Sequence, residues 1–260
     1  AGLRSSRHEF RHVFISTMAT PTTPMMRQYE TLKQKYNDCI LFFRLGDFYE
    51  MFGDDAREAS GILQITLTAR KDVPMCGVPY HAVENYLAKL TRAGKKVAIC
   101  EQLSDPTLPG IVQRDVTRVV TPGTTWSDAV LDQKQHNFVS AIVERNQKYG
   151  LAWLDITTGQ FSCAELPKVH AVQYQLARIR PAECLIEKTA STVLRRALSQ
   201  HDHMYLSETE NFMNAEKVLN DHFGTLTLDG FGVQNMPAAV AAAGLLFNYV
   251  RETQKTDCAH

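Results

Sequence analysis

Neither sign of charge is in excess. Over 260 residues, 28 Lys and Arg side chains meet 28 Asp and Glu, so no global basic field announces a polyanion ligand. Residues 21–130 carry 13 basic and 13 acidic side chains, and residues 131–260 carry 12 and 14. A polyanion would have to be held by local patches or by non-Coulombic contacts. Paired cysteines are missing as well. Six of them (Cys39, Cys76, Cys100, Cys163, Cys184, Cys258) are scattered with no CxxC spacing, which excludes a zinc ribbon or a disulfide framework and fits reduced thiols in a cytoplasmic protein. There is no N-x-[ST] site. The longest apolar run, Met236 to Phe247, falls short of the roughly 20 residues that span a bilayer. Gly94-Lys95-Lys96 lacks the upstream glycine and the Ser/Thr of a phosphate loop. No HExxH, GxSxG or Cys–His arrangement supports nucleophilic catalysis.

What is present is ordinary globular material, 44% hydrophobic and 22% charged, enough for one or two cores. Residues 1–20, with three arginines, one acid and no apolar period, read as a tag or leader; the alternatives are vector-derived sequence before a start at Met18 and a transit peptide. From residue 21 the pattern alternates. A helix is expected over 24–36, a buried strand over Cys39–Arg44, a helix over Phe52–Leu63, a strand over Ile65–Thr68 and a turn region over Pro74–Pro79. A helix over Ala82–Ala93 ends at Gly94, and strands follow at Lys96–Leu103 and Val116–Thr121, with a Pro/Gly loop at 105–110 between them. Thr121-Pro122-Gly123 and the polar 127–137 stretch mark a boundary. Beyond it, strands at Phe138–Glu144, Leu151–Ile156 and Gln160–Glu165 are joined by short turns, as in an antiparallel meander. Helix 169–179, strand Cys184–Glu187, helix 191–199, strand Met204–Ser207 and helix 214–223 follow, then an apolar helix from Ala238 to about Gln254. Three antiparallel strands followed by αβαβα is the ribonuclease-H-like order. The expectation is therefore a two-domain α/β protein: a mixed-sheet domain over 21–130 and a ribonuclease-H-like domain over 131–260.

Few residues carry chemistry on pattern alone. His201-Asp202-His203 is either a solvated turn or half a metal site. Asp155, in Leu154-Asp155-Ile156-Thr157-Thr158-Gly159, sits where ribonuclease-H-like nucleases hold Mg²⁺. The first strand, Phe138 to Val143, lacks the second carboxylate such enzymes need, so Asp155 reads either as a turn cap or as the centre of a Mg²⁺-dependent nuclease. Arg44-Leu45-Gly46-Asp47-Phe48-Tyr49-Glu50-Met51-Phe52 reads as core aromatics near a helix start, with Glu50 a solvated first-turn acid.

A second reading of that stretch comes from its neighbours. Pro24 to Tyr29, Gly46 to Phe52, Leu67-Thr68-Ala69-Arg70, Gly77-Val78-Pro79-Tyr80-His81-Ala82, Ala98 to Gln102, Val119 to Thr124, Leu154 to Gly159 and Gly230-Phe231-Gly232-Val233 together resemble, in order, the N-terminal part of the MutS family of DNA mismatch recognition proteins. The resemblance runs from about residue 22 to about 255 and implies a fragment holding the mismatch-binding and connector domains. It implies recognition of mispaired or unpaired bases in duplex DNA and no catalysis by these two domains. The family's Phe-x-Glu motif falls on Phe48, the minor-groove wedge, and Glu50, the hydrogen-bonding partner of the displaced base. Arg70 is the best match for a phosphate or groove contact, and Arg44, Lys71 and Arg114 are weaker matches. Ala69 stands where a basic residue often precedes that arginine, and the Arg70–Pro74 segment is shorter than in many relatives. No cofactor is implied for these domains. ATP and Mg²⁺ belong to the ATPase of full-length members, which are homodimers whose connector helps dock MutL.

Overall fold

The computed structural model describes residues 23–104, 110–125 and 136–255. The leader at 1–20, most of the 105–110 loop, most of the 127–137 boundary and Cys258 lie outside the described residues. In the first half, helix α1 (Pro24–Lys35) starts at the Thr23 cap, whose Oγ1 accepts from the Met26 amide at 3.3 Å. Then come β1 (Cys39–Leu45), β2 (Phe48–Phe52), α2 (Gly53–Leu63), β3 (Thr68–Arg70), β4 (Val73–Pro79), α3 (Val83–Arg92), β5 (Lys96–Gln102) and β6 (Arg114–Val120). They form one sheet in the order β3-β4-β2-β1-β5-β6, in which only β1 and β5 run parallel.

The sheet is covered on both faces, which is why β1 reads as an unbroken apolar run. Ile40 and Phe42 pack with Tyr49 and Met51 against Leu63, Leu87 and Leu90 of α2 and α3. Leu41 and Phe43 pack with Phe52 against Tyr29 and Leu32 of α1.

Three expectations for this half need correction. Phe48, Tyr49 and Glu50 do not approach a helix start; they form a strand, and the helix begins at Gly53. Gly46, at φ +56°, and Asp47 turn β1 back on itself so that Leu45 faces Phe48, and Tyr49 and Met51 then obey the period of two, not of 3.6. The strand placed at Ile65–Thr68 lies instead at Thr68–Arg70. Val73–Pro79 is a strand, not a turn region. Lys71 and Asp72, at φ +48° and +68°, make the two-residue turn between β3 and β4. Pro74 and Pro79 mislead because each lies near an end of β4, past the reach of one neighbouring strand.

The second half follows the sequence reading closely. Strands β7 (Phe138–Arg145), β8 (Lys148–Asp155) and β9 (Gln160–Leu166) form the meander, with Asn146 and Gln147 as a two-residue turn. Then follow α4 (Val169–Ile179), β10 (Glu183–Glu187), α5 (Thr192–Leu198), β11 (Tyr205–Thr209), α6 (Ala215–Phe223) and α7 (Pro237–Gln254). The sheet order is β11-β10-β7-β8-β9, with β10 and β11 parallel to β7. Residues of α4 and α5 pack on one face, and those of α6 and α7 on the other.

The two halves meet at a buried carboxylate. Glu183 has no exposure. It accepts hydrogen bonds from Ser207 Oγ at 2.6 Å, Tyr249 Oη at 2.7 Å and the Gly123 amide at 3.1 Å, and a further one from Thr121 Oγ1. Burial, then the neighbouring Glu183, push the Tyr249 phenol well up, so it stays protonated and donates. A Cβ on Gly123 would lie 2.8 Å from those of Glu183 and Val139, so the linker passes close over β10 and β7. Glu183→Gln sets an NH₂ among donors, and the expected cost is about 1–3 kcal/mol, read as a lower urea midpoint.

Candidate nucleic-acid interface

The alternation of β2 decides what its residues face. Tyr49 and Met51 point into the α2/α3 core, so Phe48, Glu50 and Phe52 point to the other face. Helix α1 covers only part of that face, and Tyr29 packs edge-on against Phe52 with ring centroids 5.0 Å apart. Phe48, at the uncovered end, is 47% exposed. Among the described residues no aromatic ring stacks on it. Phe48 thus leaves a large apolar ring open to solvent at a strand end, one residue from the core side chain of Tyr49.

Glu50 lies beside it, facing Phe43 on β1 and Gly77 on β4. Its Oε2 is buried and accepts no hydrogen bond from the described residues; Arg70 Nη1 stands 3.7 Å away. Burial pushes the Glu50 carboxyl above its ordinary value, and Arg70 opposes that shift only in part. Because the folded-state pKa is raised, the protonated form favours the fold, and that contribution fades as pH rises through it. Gly77 keeps the space between the two side chains flat. A Cβ there would lie 3.6 Å from Glu50 Cγ and 3.8 Å from Phe48 Cδ1. Gly77→Val puts two methyl groups into that space and is expected to weaken any ligand contact made by Phe48 and Glu50 together, with little change in melting temperature.

The four basic candidates separate. Arg70, at the end of β3, is half exposed and aimed at Glu50, and Lys71 is exposed in the adjoining turn. Arg44 is the cross-strand partner of Tyr49, on the face opposite Phe48. Its guanidinium lies 3.7 Å from the centre of the Tyr80 ring, its Nε donates to the Gly46 carbonyl, and its Nη1 is 3.8 Å from Glu101 Oε2. Arg114 donates to the Arg44 carbonyl at 2.9 Å, to the Val112 carbonyl at 3.1 Å and to Gln28 Oε1 at 3.3 Å, with its guanidinium 5.1 Å from the Phe43 ring centre. Burial lowers its pKa. Arg70 therefore reaches Glu50 on the face that Phe48 shares, with Lys71 in the turn at the end of β4 far from Phe48, while Arg44 and Arg114 are committed to internal contacts. The sequence places Gly77 and Tyr80 in a family-like segment but gives neither a role. An aromatic directly after a proline at a strand end was the available signal for Tyr80, which is 42% exposed.

Asp155 has a different setting. It is fully buried; Oδ1 accepts from the Thr157 amide at 2.9 Å and hydroxyl at 2.6 Å, and Oδ2 lies 2.7 Å from His136 Nδ1. Burial pushes this carboxyl up, but the hydrogen bonds from Thr157 and His136 outweigh it and hold it low. The turn-capping reading accounts for the two Thr157 contacts, and the His136 contact ties the same carboxylate to the segment before β7. Among the described residues no group of three or more His, Cys, Asp or Glu side chains could hold a metal ion, and no helix is long and apolar enough to cross a membrane.

The chain thus forms two mixed α/β domains, with an exposed aromatic and a shielded carboxylate on one face of the first sheet. Family comparison agrees with that division. The description "MutS domain I" matches residues 23–129, and "MutS domain II" matches residues 137–260. The chain belongs to the MutS family. It is 44% identical over 263 aligned positions to the DNA mismatch repair protein MutS of Treponema denticola, an alignment covering 94% of this chain and 30% of that protein.

Proposed function

We propose that this chain recognises mispaired or unpaired bases in duplex DNA, with Phe48 as a minor-groove wedge and Glu50 as the hydrogen-bonding partner of the displaced base. The observation that carries the reading is the pairing of a half-exposed, unstacked Phe48 with a Glu50 oxygen that is shielded and has no hydrogen bond from the described residues. Insertion of an aromatic ring unstacks one base step, at a few kcal/mol in a matched duplex and less where pairing is already poor. That difference is the recognition signal, a readout of deformability and not of charge. It suits a domain whose charges balance. Arg70, with Lys71 beside it, supplies a backbone contact.

Glu50 works in two ways. Ionised, it repels the phosphate-lined groove and disfavours matched DNA; its raised pKa eases protonation, which lets it donate a hydrogen bond to an acceptor on the displaced base. Glu50→Ala is expected to tighten matched-duplex binding relative to mismatched in an anisotropy titration, and an equal loss on both duplexes contradicts the discriminating role. The second domain relays the DNA-bound state and helps dock MutL. By the same family resemblance, the full-length protein would act as a homodimer that carries an ATPase.

A further inference from the structure

We propose that Arg44 and Tyr80 are a positioning pair that fixes the Gly46–Asp47 turn, and through it the direction of Phe48, and that Arg44 does not meet DNA directly. The inference rests on the wedge role of Phe48 proposed above. Phe48 is the first residue after the turn, so its side-chain direction follows the backbone at 46–47. That backbone is clamped twice. Arg44 Nε donates to the Gly46 carbonyl, and the Tyr80 amide donates to the Asp47 carbonyl at 2.9 Å.

The two clamps are themselves joined, because the Arg44 guanidinium packs on the Tyr80 ring at 3.7 Å. It also lies 5.5 Å from the centre of the Tyr49 ring. Glu101 completes the assembly by accepting a hydrogen bond from Tyr49 Oη and facing Arg44 Nη1. Burial, followed by Glu101, pushes the Tyr49 phenol up, which keeps it a donor. Arg114 adds a further restraint by donating to the Arg44 carbonyl.

A planar cation against one ring and near a second, with one N–H fixed on a turn carbonyl, is a use of arginine that lysine cannot copy. The side chain of Arg44 is only 17% exposed. Strand alternation directs it to the face away from Phe48 and Glu50. Its charge is therefore spent inside the protein, and a phosphate on the wedge side would have to compete with Tyr80, Glu101 and Gly46 for the same group.

Two readouts on the 260-residue chain test this. The first is amide exchange in the absence of DNA. Arg44→Lys and Tyr80→Leu are each expected to speed exchange of the residue-80 amide, the one bonded to Asp47, about tenfold while the melting temperature stays within a few degrees. Unchanged protection in both variants overturns the clamp. The second is binding to a G·T duplex and its matched twin across a salt series. Arg44→Lys and Arg44→Gln are expected to lower the mismatch preference about tenfold, with the dependence of log K on log salt unchanged. If Arg44→Gln instead flattens that slope by about one phosphate contact and weakens both duplexes equally, Arg44 is a direct contact and the proposal falls. Wild-type protein that does not distinguish the duplexes sinks the proposed function, and the exchange result then decides the clamp alone.

Discussion

Phe48→Ala is expected to erase the preference for mismatched over matched DNA while leaving the fold intact. The two halves of that expectation rest on different observations. Phe48 is 47% exposed and the core residues of its strand, Tyr49, Met51 and Phe52, are untouched, so the loss of stability should stay within about 1 kcal/mol. Stacking of a base on an aromatic side chain contributes roughly 1–3 kcal/mol by alanine substitution. A loss of that size corresponds to roughly five- to 150-fold in affinity for the mismatched duplex. Matched DNA, which the wedge penetrates less readily, should lose far less. Circular dichroism melting separates the two effects. A mutant that unfolds makes Phe48 a core residue and removes it from the interface.

The second large effect concerns one substitution made at two glycines with opposite results. Gly150 lies in β8 under the first turn of α7, and a Cβ there would fall 1.7 Å from the Ala238 carbonyl oxygen and 2.7 Å from the Ala239 nitrogen. Those atoms are helix backbone and cannot rotate aside. The same helix start is pinned by Glu165, whose carboxylate accepts the Ala238 amide at 3.0 Å and pairs with Lys148 at 2.6 Å. Burial pushes the Glu165 carboxyl up, but Lys148 and the helix amides outweigh it and hold it low. Its contribution is thus present above its unfolded-state value and lost as pH falls through the lowered one. For Gly150→Ala to be accommodated, α7 must lift off the sheet and release Ala242, Leu246 and Phe247 from the core. The expected cost is about 3 kcal/mol or more. Gly61→Ala is the counterpart. Gly61 is an exposed helical residue, and a Cβ added there would meet nothing within 4 Å, so alanine should stabilise by about 0.5–1 kcal/mol. Urea midpoints of the two variants should therefore move in opposite directions.

How much of this could be read from the sequence varies along the chain. The meander Phe138–Leu166, the apolar helix 237–254 and the helices at 169–179 and 192–198 lie within a few residues of their expected places. Each has one strong cue: strict alternation, an apolar run too long for a strand, or a Ser cap such as Ser191 at the start of α5. Residues 44–79 were harder because their cues conflict. Phe-Tyr-Glu-Met-Phe satisfies either a strand or a helix over five residues, and only the tight turn at Gly46-Asp47 decides between them. Lys71-Asp72 carries no glycine, so the hairpin it forms gave little warning.

The candidate site was legible to a different depth. The motif resemblance singled out Phe48 and Glu50, and alternation of β2 explains their shared face. The arginines could not be sorted in advance. Arg44, Arg70 and Arg114 have the same chemistry, and only register decides that Arg70 turns toward Glu50 while Arg44 turns away toward Tyr80. Gly77 is informative solely through its pairing with Glu50, a contact 27 residues distant in sequence that no local pattern announces.

The most direct test of the central claim is an anisotropy titration of the 260-residue chain, at low salt, against a G·T mismatch duplex and its matched twin. Tighter binding to the mismatch, with the two curves brought together by Phe48→Ala, is the expected result. Equal binding of both duplexes by the wild-type chain, or a preference that survives the loss of Phe48, would contradict it.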